Sequence, residues 1–306
     1  MSEKCELLFE PVDLESLDRI RPYTSAYGED SCQHSPVSMF ALQDKYGDSC
    51  CILDGFLYVL RSRLCDEKYR VYLAPLGEGD RTAAYARILD DAHRHGKKAK
   101  FLTLTGTHAA YLEQAFPGRF RITYSRDLSE YIYEVETFAQ FPGKFHERRR
   151  RELRAFWRDY GGRVSVQPLR EADLGEVLAF SEAWTRERDD THEVQSLEEE
   201  LHCIHRQFAN FRALGLSGTV IRIDGQIRGF CSGAPLNERC YDVLTEKGTR
   251  SIAGIYRVIR QESARLNLES FQYVNFEEDI GVPGLRQLKE SYGPAFLIEK
   301  YIAAED

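Results

Sequence analysis

Apolar and polar positions follow the same succession twice along this 306-residue chain. The segments "LLFEPVDLESLDRI" near the start and "RVSVQPLREADLGEVLAF" from Arg163 each contain a short alternating stretch, a proline and an acidic linker. Apolar residues then recur every three to four positions. Alternation is typical of a strand, and the longer spacing is typical of a helix. Each half of the chain is therefore predicted to begin with a strand followed by a helix.

The next pair of matching segments predicts a β-hairpin in each half. "CCILDGFLYVL" and "GTVIRIDGQIRGFCSG" both contain two apolar stretches joined by an Asp-Gly pair, Asp54-Gly55 and Asp224-Gly225. This pair tolerates the positive φ angles that a two-residue hairpin turn requires. The second half is expected to be longer because of an insertion around "RERDDTHEVQSLEEE".

The correspondence continues to the end of the chain. Each half then shows a strand, a glycine-containing loop and a helix, a further strand, and finally a helix with a closing strand. The matching segments are "YRVYLAPLGEGDRTAAYARILDDA" with "CYDVLTEKGTRSIAGIYRVIRQESA", "KAKFLTLT" with "ESFQYVNF", and "HAAYLEQAFPGRFRITYSRDLSEYIYEV" with "GLRQLKESYGPAFLIEKYIA". So many matches in one order indicate an internal duplication. We predict two domains, residues 1–160 ending in a basic helix and residues 161–306.

The predicted order of elements defines a fold class. A hairpin requires antiparallel pairing, and a strand–helix–strand crossover requires a parallel step. A mixed sheet with helices on both faces is similar to the layout of the GNAT acyltransferase superfamily. The expected class is α/β (mixed α+β), with two tandem GNAT-like domains.

Composition limits the location and the partners of the protein. The chain contains no apolar run of 18 residues, and acids occupy the N-terminal stretch where a signal peptide needs basic and apolar residues. We therefore expect a cytoplasmic protein without a transmembrane segment, whose eight cysteines are reduced thiols. The net charge of −8 argues against a surface coated by nucleic acid, but it allows one local anion site.

Three segments resemble a narrower family. "RDLSEYIYEVETFAQFPGKFHERRRRELRAF", "EKGTRSIAGIYRVIRQ" and "YVNFEEDIGVPGLRQLKESYGPAFLIEKY" are similar to the family related to the C-terminal domain of phosphatidylglycerol lysyltransferases. The resemblance implies a tandem GNAT fold, similar in layout to the Fem peptidyltransferases, which take aminoacyl-tRNA. Arg151 stands where the family usually has asparagine, and the multi-span membrane region of the lipid lysyltransferases is missing from this sequence.

The loop "EKGTRSIAGIY" of the second half is a candidate donor site. A glycine loop between a strand and a helix can bind an anion, because its amides lie at the positive end of the helix. In acetyl-CoA enzymes of the superfamily that this layout resembles, the loop has a glycine three residues after a Gln or Arg, whereas here Gly254 follows Arg250 by four residues. Tyr256, which is also a candidate substrate-binding residue, would crowd the place where the backbone must meet the phosphate. Lys247 and Arg250 favour an anion, and the alternative is a turn in which Gly254 permits close helix–sheet packing. The corresponding loop of the first half contains Glu78 and Asp80 and is expected to be structural.

The basic run before residue 160 is a candidate phosphate site. On a helix its arginines form two neighbouring stripes, opposite a buried side formed by Leu153, Phe156 and Trp157. A solvated face is the ordinary explanation, but consecutive arginines repel one another and suit bidentate phosphate contacts. The candidate residues are Lys144, Arg148, Arg150, Arg151 and Arg154. The expected partner is tRNA or another polyanion, or an anionic lipid surface in peripheral contact.

Candidate catalytic groups follow the next predicted strand, in "VNFEEDIG". If the strand persists, Asn275, Glu277 and Asp279 share one face at the carboxyl end of the sheet, where ligands bind in open α/β folds. A carboxylate there could orient the acceptor or remove its proton. Alternatively, Glu278 and Asp279 cap the following helix. Glu246, at the mouth of the glycine loop, is a further candidate acid.

These features favour an acyltransferase. We expect transfer of an aminoacyl group from aminoacyl-tRNA to an amine or hydroxyl, with no permanently bound cofactor and no metal, although His202 and His205 lie three apart on a predicted helix. Transfer from acyl-CoA is one alternative, and a non-catalytic module that binds polyanions on a duplicated GNAT shell is another. A positioned nucleophile and one proton acceptor can supply most of the rate.

Overall fold

The computed structural model describes residues 6–187 and 194–306. Cys5 and the middle of the predicted insertion, residues 188–193, lie outside the described residues. The strands are β1 (Glu10–Pro11), β2 (Asp48–Leu53), β3 (Phe56–Arg61), β4 (Tyr69–Tyr72), β5 (Leu76–Gly77), β6 (Lys98–Thr105), β7 (Phe120–Glu134), β8 (Val164–Pro168), β9 (Ser217–Ile223), β10 (Gln226–Pro235), β11 (Cys240–Gly248), β12 (Tyr273–Glu278) and β13 (Phe296–Glu305).

Helices occur at the positions that the apolar spacing predicts, with additional short ones between them. The α-helices are α1 (Leu14–Tyr27), α2 (Pro36–Ala41), α3 (Gln43–Tyr46), α4 (Arg81–Arg94), α5 (Gly106–Ala115), α6 (Val135–Gln140), α7 (Glu147–Tyr160), α8 (Leu174–Arg186), α9 (Val194–Ala209), α10 (Ile255–Leu266) and α11 (Pro283–Glu290). A 3₁₀ turn, Lys144–His146, precedes α7. The predicted basic helix is α7.

The described residues divide into two compact units. Unit 1 contains residues 6–131, 278–289 and 297–306, and unit 2 contains residues 132–187, 194–277 and 290–296. These units are discontinuous in sequence, and α6 and α7 belong to unit 2 although they precede residue 160. The division into domains 1–160 and 161–306 therefore describes the sequence repeat and stays a prediction.

The two units repeat one pattern of strand pairing. In unit 1 the pairs β1–β2, β2–β3 and β3–β4 are antiparallel and the pair β4–β6 is parallel. In unit 2 the pairs β8–β9, β9–β10 and β10–β11 are antiparallel and the pair β11–β12 is parallel. Both hairpins turn at the predicted Asp-Gly pairs, with positive φ at Asp54-Gly55 and at Asp224-Gly225. The duplicated mixed α/β fold is confirmed.

The closing strands depart from a simple repeat. In unit 1 β6 pairs antiparallel with β13, the last strand of the second repeat, with Lys300 opposite Thr105. In unit 2 the strand beside β12 is the end of β7, the last strand of the first repeat. Each repeat therefore contributes the closing strand of the other repeat's sheet. The sequence predicted a closing strand in each repeat but not this exchange.

Helix α10 covers the sheet of unit 2. Its Val258 and Ile259 are fully buried. A Cβ atom on Gly229 of β10 would lie 2.6 Å from Ile259 Cδ1, and one on Gly248 of β11 would lie 3.1 Å from the same atom. Glycine at these two strand positions lets the helix backbone approach the sheet, which fixes the position of the amino end of α10.

Candidate functional site

The loop that ends at Gly254 brings two predicted sites together. Gly254 has a φ angle of +86° and precedes the first turn of α10. A Cβ atom on it would lie 3.3 Å from the carbonyl oxygen of Glu152 and 3.4 Å from Phe156 Cβ, both on α7. Arg257 also forms an ion pair with Glu152, at 2.7 Å. The glycine loop and the basic helix, which the sequence presented as separate candidates, are neighbours within unit 2.

Gly254 also corrects one expectation about packing. The sequence suggested that this glycine permits a close approach of helix and sheet, but its nearest atoms belong to another helix. The glycines that α10 meets on the sheet side are Gly229 and Gly248. The amino end of α10 has no side-chain cap among the described residues, and the Ile255 and Arg257 amides donate to the backbone oxygens of Ile252 and Gly254, at 3.3 and 2.9 Å.

The side chains of the loop have different surroundings. The Tyr256 hydroxyl donates to the Gly248 carbonyl oxygen at 3.1 Å, and Trp184 Nε1 donates to the same oxygen at 3.0 Å. Tyr256 therefore holds the loop closed on its own strand. Arg250 is exposed, with its guanidinium 5.1 Å from the Trp184 ring centre. It is the loop's exposed cation.

Lys247 differs from Arg250. Only 1% of its surface is exposed, and its Nζ forms an ion pair with Glu200 at 2.7 Å. The same Nζ lies 4.0 Å from the centre of the Trp184 ring. The charge of Lys247 is therefore compensated inside unit 2, and this environment suits a structural role better than contact with a phosphate.

Helix α7 presents cations to solvent on one side. Leu153 and Phe156 are buried as predicted, whereas Trp157 is half-buried. Five cations of this region are exposed, and one of them, Arg158, pairs with the neighbouring Asp159 at 2.7 Å. We name the other four the α7 cationic surface. They are Lys144, Arg148, Arg151 and Arg154. Arg148 pairs with Glu152 at 3.0 Å, while no described side chain pairs with the other three.

Arg150 does not belong to this surface. Its guanidinium is half-buried and donates to the carbonyl oxygens of Phe141 and Gly143, the latter at 2.7 Å. These hydrogen bonds satisfy two carbonyl oxygens of the turn that leads into α7, and they stabilise the start of the helix. Arg149, which the sequence did not single out, donates to Ser291 Oγ at 2.8 Å. Of the four consecutive arginines, Arg149 and Arg150 form hydrogen bonds within the protein, whereas Arg148 and Arg151 are exposed.

Glu246 is bound to a cation. Both of its carboxylate oxygens accept from Arg260 Nε, at 3.1 and 2.8 Å, and each side chain is about 10% exposed. Burial alone would lower the pKa of the Arg260 guanidinium, but the charge of Glu246 holds it above its ordinary value. A carboxylate in such a pair is a weak proton acceptor.

The strand face predicted for the acids is interrupted. Asn275 is fully buried on β12 and its Oδ1 accepts from the backbone amide of Glu277 at 2.6 Å. Glu277 has a φ angle of +57°, which breaks the alternation of side chains along the strand. Asn275, Glu277 and Asp279 therefore do not form one continuous strand face. Asn275 fixes the backbone that carries Glu277.

Asp279 is the centre of an ionic cluster in unit 1. Its buried carboxylate accepts from Tyr131 Oη at 2.6 Å, from Arg126 at 3.2 Å and from Arg286 Nε at 2.9 Å. Burial alone raises the pKa of Asp279, but the hydrogen bonds from Arg286 and Tyr131 hold it well below its ordinary value. Asp279 binds the Gly281 amide and a side chain of α11 rather than the first amides of that helix.

Glu278 was not part of the predicted strand face, but its carboxyl lies in an unusual environment. It is half-buried, and the Cys32 thiol donates to its Oε2 at 3.7 Å. Burial raises the pKa of Glu278, and the negative charge of Glu130 raises it further. Glu130 itself is fully buried and pairs with Lys300 at 2.6 Å. No local sequence signal joins Glu278 to Glu130, because the two are far apart in the chain.

The remaining candidates have local roles. Asp80 caps α4 by accepting from the Ala83 amide at 2.9 Å, in agreement with a structural loop in the first repeat. His205 pairs with Glu182 at 3.2 Å.

Within residues 6–187 and 194–306, no group of three His, Cys, Asp or Glu side chains is arranged to bind a metal ion. In the same residues, no helix is long and apolar enough to cross a membrane.

Two units with one strand order, each with a parallel step after an antiparallel hairpin, define a tandem GNAT-type fold. The family model described as "Phosphatidylglycerol lysyltransferase, C-terminal" matches residues 26–304. The chain belongs to this family.

Solved structures of similar fold cover nearly the whole chain. A conserved protein of unknown function from Bacteroides thetaiotaomicron is 28% identical, with a TM-score of 0.92 over 98% of this chain and 100% of that one. L-PGS from Bacillus licheniformis is 14% identical, with a TM-score of 0.68 over 97% and 93%. FemX is 9% identical, with a TM-score of 0.61 over 94% and 95%. The family description supports an acyltransferase, and the likeness to L-PGS and FemX shows a common fold.

An uncharacterised protein of Mycoplasmoides gallisepticum is 25% identical over 181 residues, which is 57% of this chain. The match spans 55% of that protein, or about half of its length.

Proposed function

We propose that the protein transfers an aminoacyl group from aminoacyl-tRNA to an amine or hydroxyl acceptor. The observation that supports this most directly is the contact of α7 with the amino end of α10 in unit 2. Exposed cations on α7 can bind the phosphates of a long polyanion, and the positive amino end of the α10 dipole, with the exposed Arg250 beside it, can attract a phosphate at the end of that polyanion. A tRNA offers both kinds of group, whereas a small donor offers only the second.

The chemistry needs few protein groups. The acceptor nitrogen or oxygen attacks the carbonyl carbon of the aminoacyl ester and forms the new bond. The ester bond to the terminal ribose breaks, and the ribose hydroxyl leaves with a proton. The acceptor loses one proton to a base. An activated ester and a positioned nucleophile make this displacement feasible without a covalent enzyme intermediate or a bound cofactor.

Among the candidate acids, Glu277 remains our first choice for the base. Glu246 is held by Arg260, and the hydrogen bonds to Asp279 lower its pKa, so both are weaker proton acceptors. Glu278 is a second choice, because burial and the charge of Glu130 raise its pKa and so make it a stronger proton acceptor. A base at residue 277 or 278 predicts that activity falls as the pH drops through the pKa of that carboxyl.

The family description names the phosphatidylglycerol lysyltransferases, and this suggests the first substrates to test. Purified protein is mixed with tRNA charged with labelled lysine and with vesicles that contain phosphatidylglycerol, or with soluble amines. The expected result is label transferred to an acceptor, with loss of transfer in the Glu277→Gln variant. Binding without transfer to any acceptor would favour the non-catalytic polyanion module.

Binding is tested separately from chemistry. Reversal of Arg151 and Arg154 to glutamate should weaken binding of uncharged tRNA at least tenfold and reduce the slope of log K against log salt by about one per arginine. Arg19 and Arg121, exposed arginines of unit 1, give a control double reversal with the same change in net charge. Equal binding by both double variants would contradict a role for the α7 cationic surface.

Acyl-CoA is the alternative donor. We expect weak or no binding of acetyl-CoA, because Tyr256 occupies the loop and Gly254 lies four residues after Arg250. Calorimetry is the measurement. Tight binding that the Gly254→Glu variant loses would favour acyl-CoA over aminoacyl-tRNA as the donor.

A further inference from the structure

Phe145 is an exposed aromatic residue beside the α7 cationic surface. It lies in the 3₁₀ turn Lys144–His146, and 63% of its surface is exposed. Leaving a phenylalanine in water forfeits the favourable transfer that burial would give. The turn is part of unit 2 and leads directly into the first residue of α7.

The ring is held in position although it is exposed. It is nearly perpendicular to the His146 ring, with ring centres 4.8 Å apart and an interplanar angle of 83°. A Cβ atom on Gly293 would lie 3.1 Å from Phe145 Cε1, so glycine at that position lets the ring rest on the backbone. The Arg149 guanidinium lies 5.8 Å from the ring centre and is anchored by Ser291. These contacts support the ring on one side and leave most of it open.

Exposed cations lie close to Phe145 along the chain. Lys144 precedes it in the chain, and Arg148 lies one helical turn further along. Resting on the function proposed above, we propose that Phe145 stacks on an unpaired base of the single-stranded end of tRNA while Lys144 and Arg148 bind the adjacent phosphates. An aromatic face next to cations is the combination that binds single-stranded nucleic acids without reading their sequence.

A membrane surface is the competing partner, and three observations disfavour it. The apolar side of α7, with Leu153 and Phe156, is buried in the protein, so the helix cannot lie with an apolar face in a bilayer. Phe145 is a single aromatic residue, which provides little insertion energy. The net charge of −8 repels an extended anionic surface more than it repels one strand of phosphates that meets only a local basic patch.

The test compares three probes against matched variants. The probes are uncharged tRNA, the same tRNA trimmed of its unpaired 3′ nucleotides, and vesicles that contain phosphatidylglycerol. The Phe145→Ala variant should bind intact tRNA about 5- to 100-fold more weakly, which is the range for loss of one stacked base. Its salt slope should equal that of the parent protein, because no charge is removed. The Phe145→Trp variant should restore binding.

The controls separate stacking from a general loss of structure. Phe296 is a second exposed phenylalanine of unit 2, in edge-to-face contact with Tyr273, and its change to alanine should leave tRNA binding unaltered. Parent protein and Phe145→Ala should bind trimmed tRNA equally. Thermal unfolding of each variant verifies that the fold is kept.

Two results would overturn the assignment while leaving the proposed function in place. One is equal binding of intact tRNA by the parent protein and Phe145→Ala. The other is a loss of vesicle binding in Phe145→Ala with tRNA binding unchanged, which would make Phe145 a membrane contact. If the parent protein does not bind tRNA at all, the proposed function and this assignment both fail.

Discussion

Arg260 Nε donates to both carboxylate oxygens of Glu246, and this pair joins α10 to the strand from which the glycine loop departs. The Arg260 guanidinium also lies 4.2 Å from the ring centre of Tyr292 and 4.9 Å from that of Phe276. The pair is about 90% buried, so each charge depends on the other for its solvation.

Changing Arg260 to methionine should destabilise the protein by about 3–5 kcal/mol, because it leaves the Glu246 carboxylate buried without its partner. Urea unfolding is the measurement. The double change Arg260→Met with Glu246→Gln should cost less than the sum of the single changes. Arg19→Met, which removes an exposed pair with Glu10, is the control and should cost less than about 1 kcal/mol. Equal costs at the two arginines would contradict the importance of the buried pair.

The contact between Gly254 and α7 predicts a cost for any side chain at that position. Gly254→Ala should destabilise unit 2 by about 1–3 kcal/mol, since alanine is strained at positive φ and its Cβ meets the Glu152 carbonyl. Gly225→Ala is the matched control, because Gly225 has a φ angle of +78° and open space around its Cβ position. The difference between the two unfolding free energies measures the contact with α7. If both variants lose the same stability, the contact contributes nothing.

The cluster around Asp279 predicts sensitivity to acid. The pKa of Asp279 is lower in the folded than in the unfolded chain, so its stabilisation is complete above the ordinary aspartate pKa of about 3.9 and is lost as the pH falls below that value. Asp279→Asn should cost on the order of 3 kcal/mol at pH 7 and should lose less stability than the parent protein on acidification. Unfolding by urea at pH 7, 5 and 3 measures both effects. Asp127→Asn changes an exposed carboxyl that binds the same Arg286, and a cost as large as that of Asp279→Asn would contradict the special role of the buried group.

The raised pKa of Glu278 predicts that its effect on the free energy of unfolding depends on pH in the opposite direction. Its pKa is raised in the folded chain, so the folded protein is penalised as the pH rises above the ordinary glutamate pKa of about 4.3. The Glu278→Gln variant lacks this penalty. Its stability relative to the parent protein should therefore increase from pH 4 upwards and level off above the folded pKa. Glu67→Gln, at an exposed position, controls for the loss of one negative charge. A stability difference that does not change with pH would show that neither burial nor the charge of Glu130 raises the pKa of Glu278.

Local sequence patterns predict much of the fold. Two Asp-Gly turns, the alternating strands around them and the three-to-four spacing of α4 and α10 each depend on residues close together in the chain, so they are predictable from the sequence. Their repetition in the same order revealed the duplication. The basic character of α7 and its buried Leu153 and Phe156 follow from the same periodicity.

The site depends on contacts between distant residues, and the sequence pattern does not specify these. Both closing strands have patterns that fit the edge of either sheet, so only their tertiary pairing decides that β13 joins β6. Arg150 and Arg151 are neighbouring arginines with nothing in the sequence pattern to separate their roles. Arg150 nevertheless donates to the carbonyl oxygen of Gly143, whereas Arg151 is exposed. The positive φ of Glu277 likewise ends an alternation that the sequence extends to Asp279. Periodicity determines which residues form an element, whereas the packing of elements determines which charges are paired and which remain available to a ligand.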